Sequence, residues 1–84
     1  MKVINKQLRG LFLGGSNAQI PILKEAKNRG YYSIICDFLP DNPGNKFADE
    51  YYNLSTTDLN GVLNLARKVK PDFVMAYASE VQVK

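Results

Sequence analysis

A chain of 84 residues with 45% hydrophobic residues has room for one globular domain and is too apolar to be disordered. Its net charge of +3 is spread over separate positions (Lys24, Lys27 and Arg29, then Arg67, Lys68 and Lys70), a distribution that argues against a nucleic-acid surface, and one cysteine with no histidine excludes a disulfide framework and argues against a zinc site. No apolar stretch is long enough to span a membrane and the opening "MKVINKQ" lacks the apolar core of a signal peptide, so a cytoplasmic protein is expected.

Leu8 to Leu13 reads as a first strand, broken by Gly14, Gly15, Ser16 and Asn17. From Ala18 to Arg29 the apolar positions Ile20, Ile22, Leu23 and Ala26 predict a helix packed on one face. Pro21 falls in its first turn, where a missing N–H costs little, and Gly30 is a C-terminal stop. Tyr32 to Asp37, "YSIICD", predicts a second strand covered on both faces, with Cys36 as a small core residue.

Phe38 to Asp49, "FLPDNPGNKFAD", predicts a loop, from its two prolines, one glycine and two asparagines. Tyr51 to Leu54 is a short third strand. Ser55, Thr56 and Thr57 offer N-caps to a second helix from Asp58 to Val69, with Leu59, Val62, Leu63, Ala66 and Val69 as its apolar face. Gly61 weakens that helix by up to about 1 kcal/mol, and Pro71 ends it. Phe73 to Ala76, "FVMA", is a fourth strand, with Met75 in the core.

Alternation of this kind predicts an α/β, Rossmann-like three-layer domain. Its four-stranded parallel sheet has the order 3-2-1-4, with right-handed crossover helices on both faces. A helix covering the fourth strand is expected to follow, so the chain reads as the front of a longer protein, truncated after strand four. The apolar surface beside that strand is one that a second copy would cover, giving self-association.

Two features suit ligand chemistry. In such a sheet, ligands sit beyond the strand C-termini where strand order reverses, here between strands one and four. Gly14, Gly15, Ser16 and Asn17 fall there, at a helix N-terminus whose N–H groups suit an anion. The run G-G-S-N-A-Q lacks the third glycine of a dinucleotide fingerprint and the G-K-[ST] of a Walker A loop, so a plain strand-to-helix turn is an equal reading. Asp37 lies 23 residues after Gly14, a spacing that suits a carboxylate on a ribose hydroxyl, or equally a turn aspartate anchoring the next loop. On the first alternative the chain is a nucleotide- or dinucleotide-binding module.

The ordered set "LFLGGSNAQIPILKEAKNRGYYSIICD", the "P-x-x-P-G" loop, "ADEYY", "LSTTD" and "FVMAYASE" spans about Arg9 to Glu80. It resembles the N-terminal, pre-ATP-grasp domain of ATP-grasp ligases, in the branch of the carbamoyl phosphate synthase large subunit, biotin carboxylase and the purine-pathway carboxylases. The resemblance implies a substrate-side domain of an enzyme that turns a carboxylate or bicarbonate into an acyl phosphate for attack by an amine or other nucleophile. It implies ATP and magnesium for the full-length enzyme, both held by later domains, and none bound by this chain. It implies no catalytic residue here; Gly14, Gly15, Ser16, Asn17, Ser79 and Glu80 would approach a small carboxylate substrate. The implied partners are the remaining ATP-grasp domains of the same protein.

Overall fold

A computed structural model of the chain describes residues 7–76. Its strands are β1 (Arg9–Leu13), β2 (Tyr32–Asp37), β3 (Glu50–Asn53) and β4 (Phe73–Met75), and its α-helices are α1 (Ile20–Asn28) and α2 (Leu59–Val69). Every strand pairing is parallel and the sheet order is β3-β2-β1-β4, the Rossmann-like α/β arrangement that the alternation predicts. Among the described residues no helix is long and apolar enough to cross a membrane.

The core has two halves because β1 and β2 are apolar on both faces. On one face Phe12 and Ile35 pack with Leu23 and Ala26 of α1. On the other, Leu11, Ile34 and Cys36 pack with Leu65 and Val69 of α2. Each large side chain buried in this way contributes roughly 1.5–3 kcal/mol. Cys36 is fully buried, and burial pushes its thiol up to about 11, so it is an inert core residue.

Helix α1 starts later than its apolar pattern, because Asn17–Gln19 winds as a 3-10 turn first. Pro21 sits in its first turn. At its end Gly30 takes φ +80°, Gly30 N donates to Lys27 O and Tyr31 N donates to Ala26 O, both over 2.9 Å. That pair of bonds is a Schellman stop, which requires a residue tolerant of positive φ.

Helix α2 departs from its sequence reading twice. Its N-cap is Asp58, whose Oδ1 accepts from Gly61 N at 3.0 Å, and not Ser55, Thr56 or Thr57. The hydroxyls of Ser55 and Thr57 hydrogen-bond each other at 2.7 Å in the turn before it. Its buried face is also rotated from the expected one: Leu65 is buried, while Leu59 and Leu63 are 69% and 43% exposed. The buried side of α2 is the one whose Leu65 and Val69 meet Leu11 of β1 and Ile34 and Cys36 of β2, and its flank approaches the end of β3. The Lys68 ammonium lies 5.1 Å from the centre of the Tyr52 ring, and a Cβ on Gly61 would stand 2.7 Å from Leu54 Cδ1.

The loop between β2 and β3 is more ordered than its composition suggests, because Pro43–Phe47 forms a second 3-10 turn. Met75, expected in the core, is only half-buried, since nothing among the described residues covers the outer side of β4.

Candidate functional site: the glycine turn and the loop that locks it

Strand order reverses between β1 and β4, and the turn after β1 stands at that point. Gly14 takes φ +106°, which favours glycine, and its N–H donates to Cys36 O at 2.9 Å, extending the β1–β2 ladder by one bond. Gly15 N donates to Asp37 Oδ2 at 2.8 Å, and Gly15 O accepts from Gly44 N at 2.7 Å. Both glycine N–H groups are therefore engaged inside the chain. The next three backbone N–H groups, of Ser16, Asn17 and Ala18, have no acceptor among the described residues. Asn17 and Ala18 are exposed, and the Ser16 side chain makes no cap bond. The donors of this turn that are not engaged within the described residues thus lie one step beyond the glycines.

Asp37 is buried and accepts three hydrogen bonds. Oδ1 accepts from Leu39 N at 3.1 Å; Oδ2 accepts from Gly15 N and from Asn42 Nδ2, the latter at 2.6 Å. Its carbonyl accepts from the Tyr51 hydroxyl at 2.8 Å. The carboxylate thereby ties three segments together: the end of β2, the turn after β1 and the loop after β2. Asn45 completes the lock, donating Nδ2 to Leu39 O at 2.9 Å and to Pro40 O at 3.2 Å.

Two buried acceptors that flank this lock have no hydrogen-bond donor among the described residues, Gln19 Oε1 and Asn45 Oδ1. Gln19 is fully buried and donates Nε2 to Gly14 O at 3.0 Å. Asn45 Oδ1 occupies the position that a Cβ on Gly15 would take, so Gly15 presents it a Cα–H. Gln19, Asn42 and Asn45 are the residues that sequence reasoning missed, whereas Gly44 belongs to the P-x-x-P-G loop singled out there. The available signals were a glutamine inside an apolar helical pattern, and asparagines at both ends of a Pro-Gly pair.

Of the residues singled out from sequence, Gly14, Gly15, Ser16, Asn17 and Asp37 come together here. Ser79 and Glu80 lie outside the described residues. Among the described residues no group of three Cys, Asp or Glu side chains could hold a metal ion.

A second polar cluster sits at the far end of the sheet. Glu50 accepts from the Tyr32 hydroxyl at 2.6 Å and from the Tyr52 hydroxyl at 2.9 Å. These two bonds hold the Glu50 carboxyl below its ordinary value, and they raise both phenols above theirs. Arg9 covers the Tyr32 ring at 5.0 Å. Every group in it pairs with a neighbour, so the cluster reads as a strap joining β2 to β3.

No protein-family model matches the chain, and a search of curated proteins finds no match. Solved structures do match. N5-carboxyaminoimidazole synthetase from Staphylococcus aureus, complexed with ADP, superposes over 82% of this chain with a TM-score of 0.73 at 20% identity. N5-carboxyaminoimidazole ribonucleotide synthetase from Thermotoga maritima superposes over 83% with a TM-score of 0.74 at 24% identity. At such identities the likeness is one of fold. The matched region is 18% of the first protein and 19% of the second, so this chain spans under a fifth of their length.

Proposed function

We propose that this chain is the substrate-side first domain of an ATP-dependent ligase of the ATP-grasp class. The observation that carries the reading is the fold likeness to two synthetases over more than four-fifths of this chain, joined to a turn that offers free N–H groups where strand order reverses. In the proposed enzyme a carboxylate or bicarbonate oxygen attacks the terminal phosphorus of ATP and releases ADP. An amine or other nucleophile then attacks the acyl carbon and releases phosphate. Such transfers need charge stabilisation and alignment above all. ATP and magnesium are assigned to later domains of the same protein, and this chain alone is not catalytic.

Within that scheme the chain's part is to position substrate. The N–H groups of Ser16, Asn17 and Ala18 face an anionic group, and the Asp37–Asn42–Asn45 lock holds them in place. Ser79 and Glu80 are proposed to complete the site from the segment after β4. The cytoplasm is the proposed location, and the carbamoyl phosphate synthase and biotin carboxylase branch remains the proposed kinship. A dinucleotide-binding module is the weaker reading, because a ribose hydroxyl would have to compete for an Asp37 carboxylate that is buried and already accepts three hydrogen bonds.

Calorimetric titration tests the division of labour. The chain is expected to give no saturable heat with magnesium-ATP, NAD or NADP in the micromolar range. In an amide NMR titration, bicarbonate or a small phosphate ester is expected to shift Ser16, Asn17 and Ala18 first. Micromolar ATP or dinucleotide binding would overturn the proposal, as would a reading frame after Lys84 without the lysine and carboxylate pattern of an ATP-grasp fold.

A further inference from the structure

We propose that Asn60 is a site of covalent deamidation under the control of the Asp58 cap, which holds the reacting backbone N–H until the first turn of α2 opens. The inference concerns α2 alone and goes beyond the ligase reading.

Asn60-Gly61 is the one Asn-Gly pair in the sequence. The reaction is internal to the pair. The Gly61 nitrogen attacks Asn60 Cγ, a C–N bond forms and closes a succinimide ring, and the Cγ–Nδ2 bond breaks. The side-chain amide leaves as ammonia, taking the Gly61 proton with it. Water then adds to either ring carbonyl and leaves aspartate or isoaspartate at position 60. Asparagine is thermolabile in general, and a glycine after it favours closure because it has no Cβ to crowd the ring.

The folded helix occupies the nucleophile. Gly61 N donates to Asp58 Oδ1 at 3.0 Å, and Val62 N donates to Asp58 O at 2.9 Å. The electrophile is unrestrained: Asn60 is exposed, and its amide has no hydrogen-bond partner among the described residues. The cap stands at a helix end, where local opening takes the least free energy. The rate of deamidation is then the opening equilibrium of this one turn multiplied by the rate of the free pair.

The reactive glycine is fixed by the same cap. A Cβ on Gly61 would stand 2.6 Å from Asp58 Oδ2 and 2.7 Å from Leu54 Cδ1. That close approach accounts for a glycine inside a helix, where it is otherwise unfavourable. The two products differ in effect. Aspartate puts a negative charge in the first turn, which suits the positive end of the helix dipole. Isoaspartate adds a methylene to the main chain between residues 60 and 61. Asp58 then falls out of register with the N–H groups of Gly61 and Val62, and the seat of Leu65 and Val69 on Leu11, Ile34 and Cys36 loses its anchor.

Peptide mapping by mass spectrometry of the intact chain, incubated near neutral pH, tests the proposal. Position 17, an exposed Asn-Ala pair, serves as the internal clock. Position 60 is expected to deamidate at least about tenfold more slowly in the folded chain than in the same chain unfolded in urea. Asp58 is exposed, so Asp58→Ala is expected to keep its circular dichroism. It is expected to speed position 60 about fivefold while position 17 is unchanged; that factor equals about 1 kcal/mol, the usual worth of an N-cap. Asp58→Asn, another good cap, should stay within about twofold of the wild-type rate. Equal rates in the folded and unfolded chain overturn the proposal, because the turn would then give no protection. A rate at position 60 that Asp58→Ala leaves unchanged overturns it too. So does an equal rise at positions 60 and 17, which would assign the protection to the whole fold and not to the cap.

Discussion

The backbone N–H of Gly44 donates to the carbonyl of Gly15 over 2.7 Å, fastening the β2–β3 loop to the turn that follows β1. Neither glycine has room for a side chain. A Cβ on Gly44 would stand 2.6 Å from Gly15 O, and one on Gly15 would overlap Asn45 Oδ1 and stand 3.0 Å from Asp37 Oδ2. Gly44→Ala and Gly15→Ala are each expected to destabilise by about 1–3 kcal/mol, the first because its Cβ meets backbone and the second because two hydrogen-bonded side chains must move. Urea denaturation measures this, and a Gly44→Ala midpoint equal to wild type would mean that the loop is not held.

Asp37 is expected to act as the centre of that lock. Asp37→Asn weakens three hydrogen bonds to a carboxylate and should cost about 2–3 kcal/mol. Asn42→Ala removes one of the same bonds. In a double-mutant cycle the two should therefore couple by more than about 0.5 kcal/mol. Additive losses would show that the two residues act separately.

Asp49 makes a separate tie. Its Oδ2 accepts from Ser33 N at 2.8 Å, and its own N–H donates to Ser33 O at 2.9 Å. Asp49→Ala is expected to lower the thermal midpoint, by about 1–2 kcal/mol of stability. Lys27→Ala should change little, since that ammonium is largely exposed and 3.9 Å from the carboxylate. An unchanged midpoint for Asp49→Ala would show that this tie does not hold the loop to β2.

The Glu50 strap predicts a pH dependence. Its carboxyl is lowered in the folded chain by the Tyr32 and Tyr52 hydroxyls, so its contribution is present above the ordinary value of 4.5 and is lost as pH falls through the lowered one. The two phenols are raised, so their contribution is present below 10.0 and is lost as pH rises through the raised values. Glu50→Gln should lower the midpoint by a few degrees at neutral pH and flatten the profile at both ends. Thermal melts from pH 3 to pH 11 check this; parallel wild-type and variant profiles would count against the strap.

Much of this molecule is written locally. The apolar run of Tyr32 to Asp37, Pro21 in the first turn of α1, and Gly30 at its end each act through the backbone of a few neighbouring residues. That is why the element types and the 3-2-1-4 order were legible. A one-residue shift of the α2 cap to Asp58, past Ser55, Thr56 and Thr57, was not, because several adjacent residues can cap and packing chooses among them.

The site and the seat of α2 belong to the tertiary structure. From sequence, Asp37 fitted a ribose ligand and a turn anchor equally well. Only the approach of Gly15 and Asn42 from two other segments commits its carboxylate to the chain, because hydrogen bonds across 22 residues have no local signature. In the same way, Leu59, Leu63 and Leu65 are equally apolar in sequence. Which of them is buried was decided by how α2 sits on Leu11, Ile34 and Cys36 of the sheet, since a helix wider in apolar character than its seat must leave one flank uncovered.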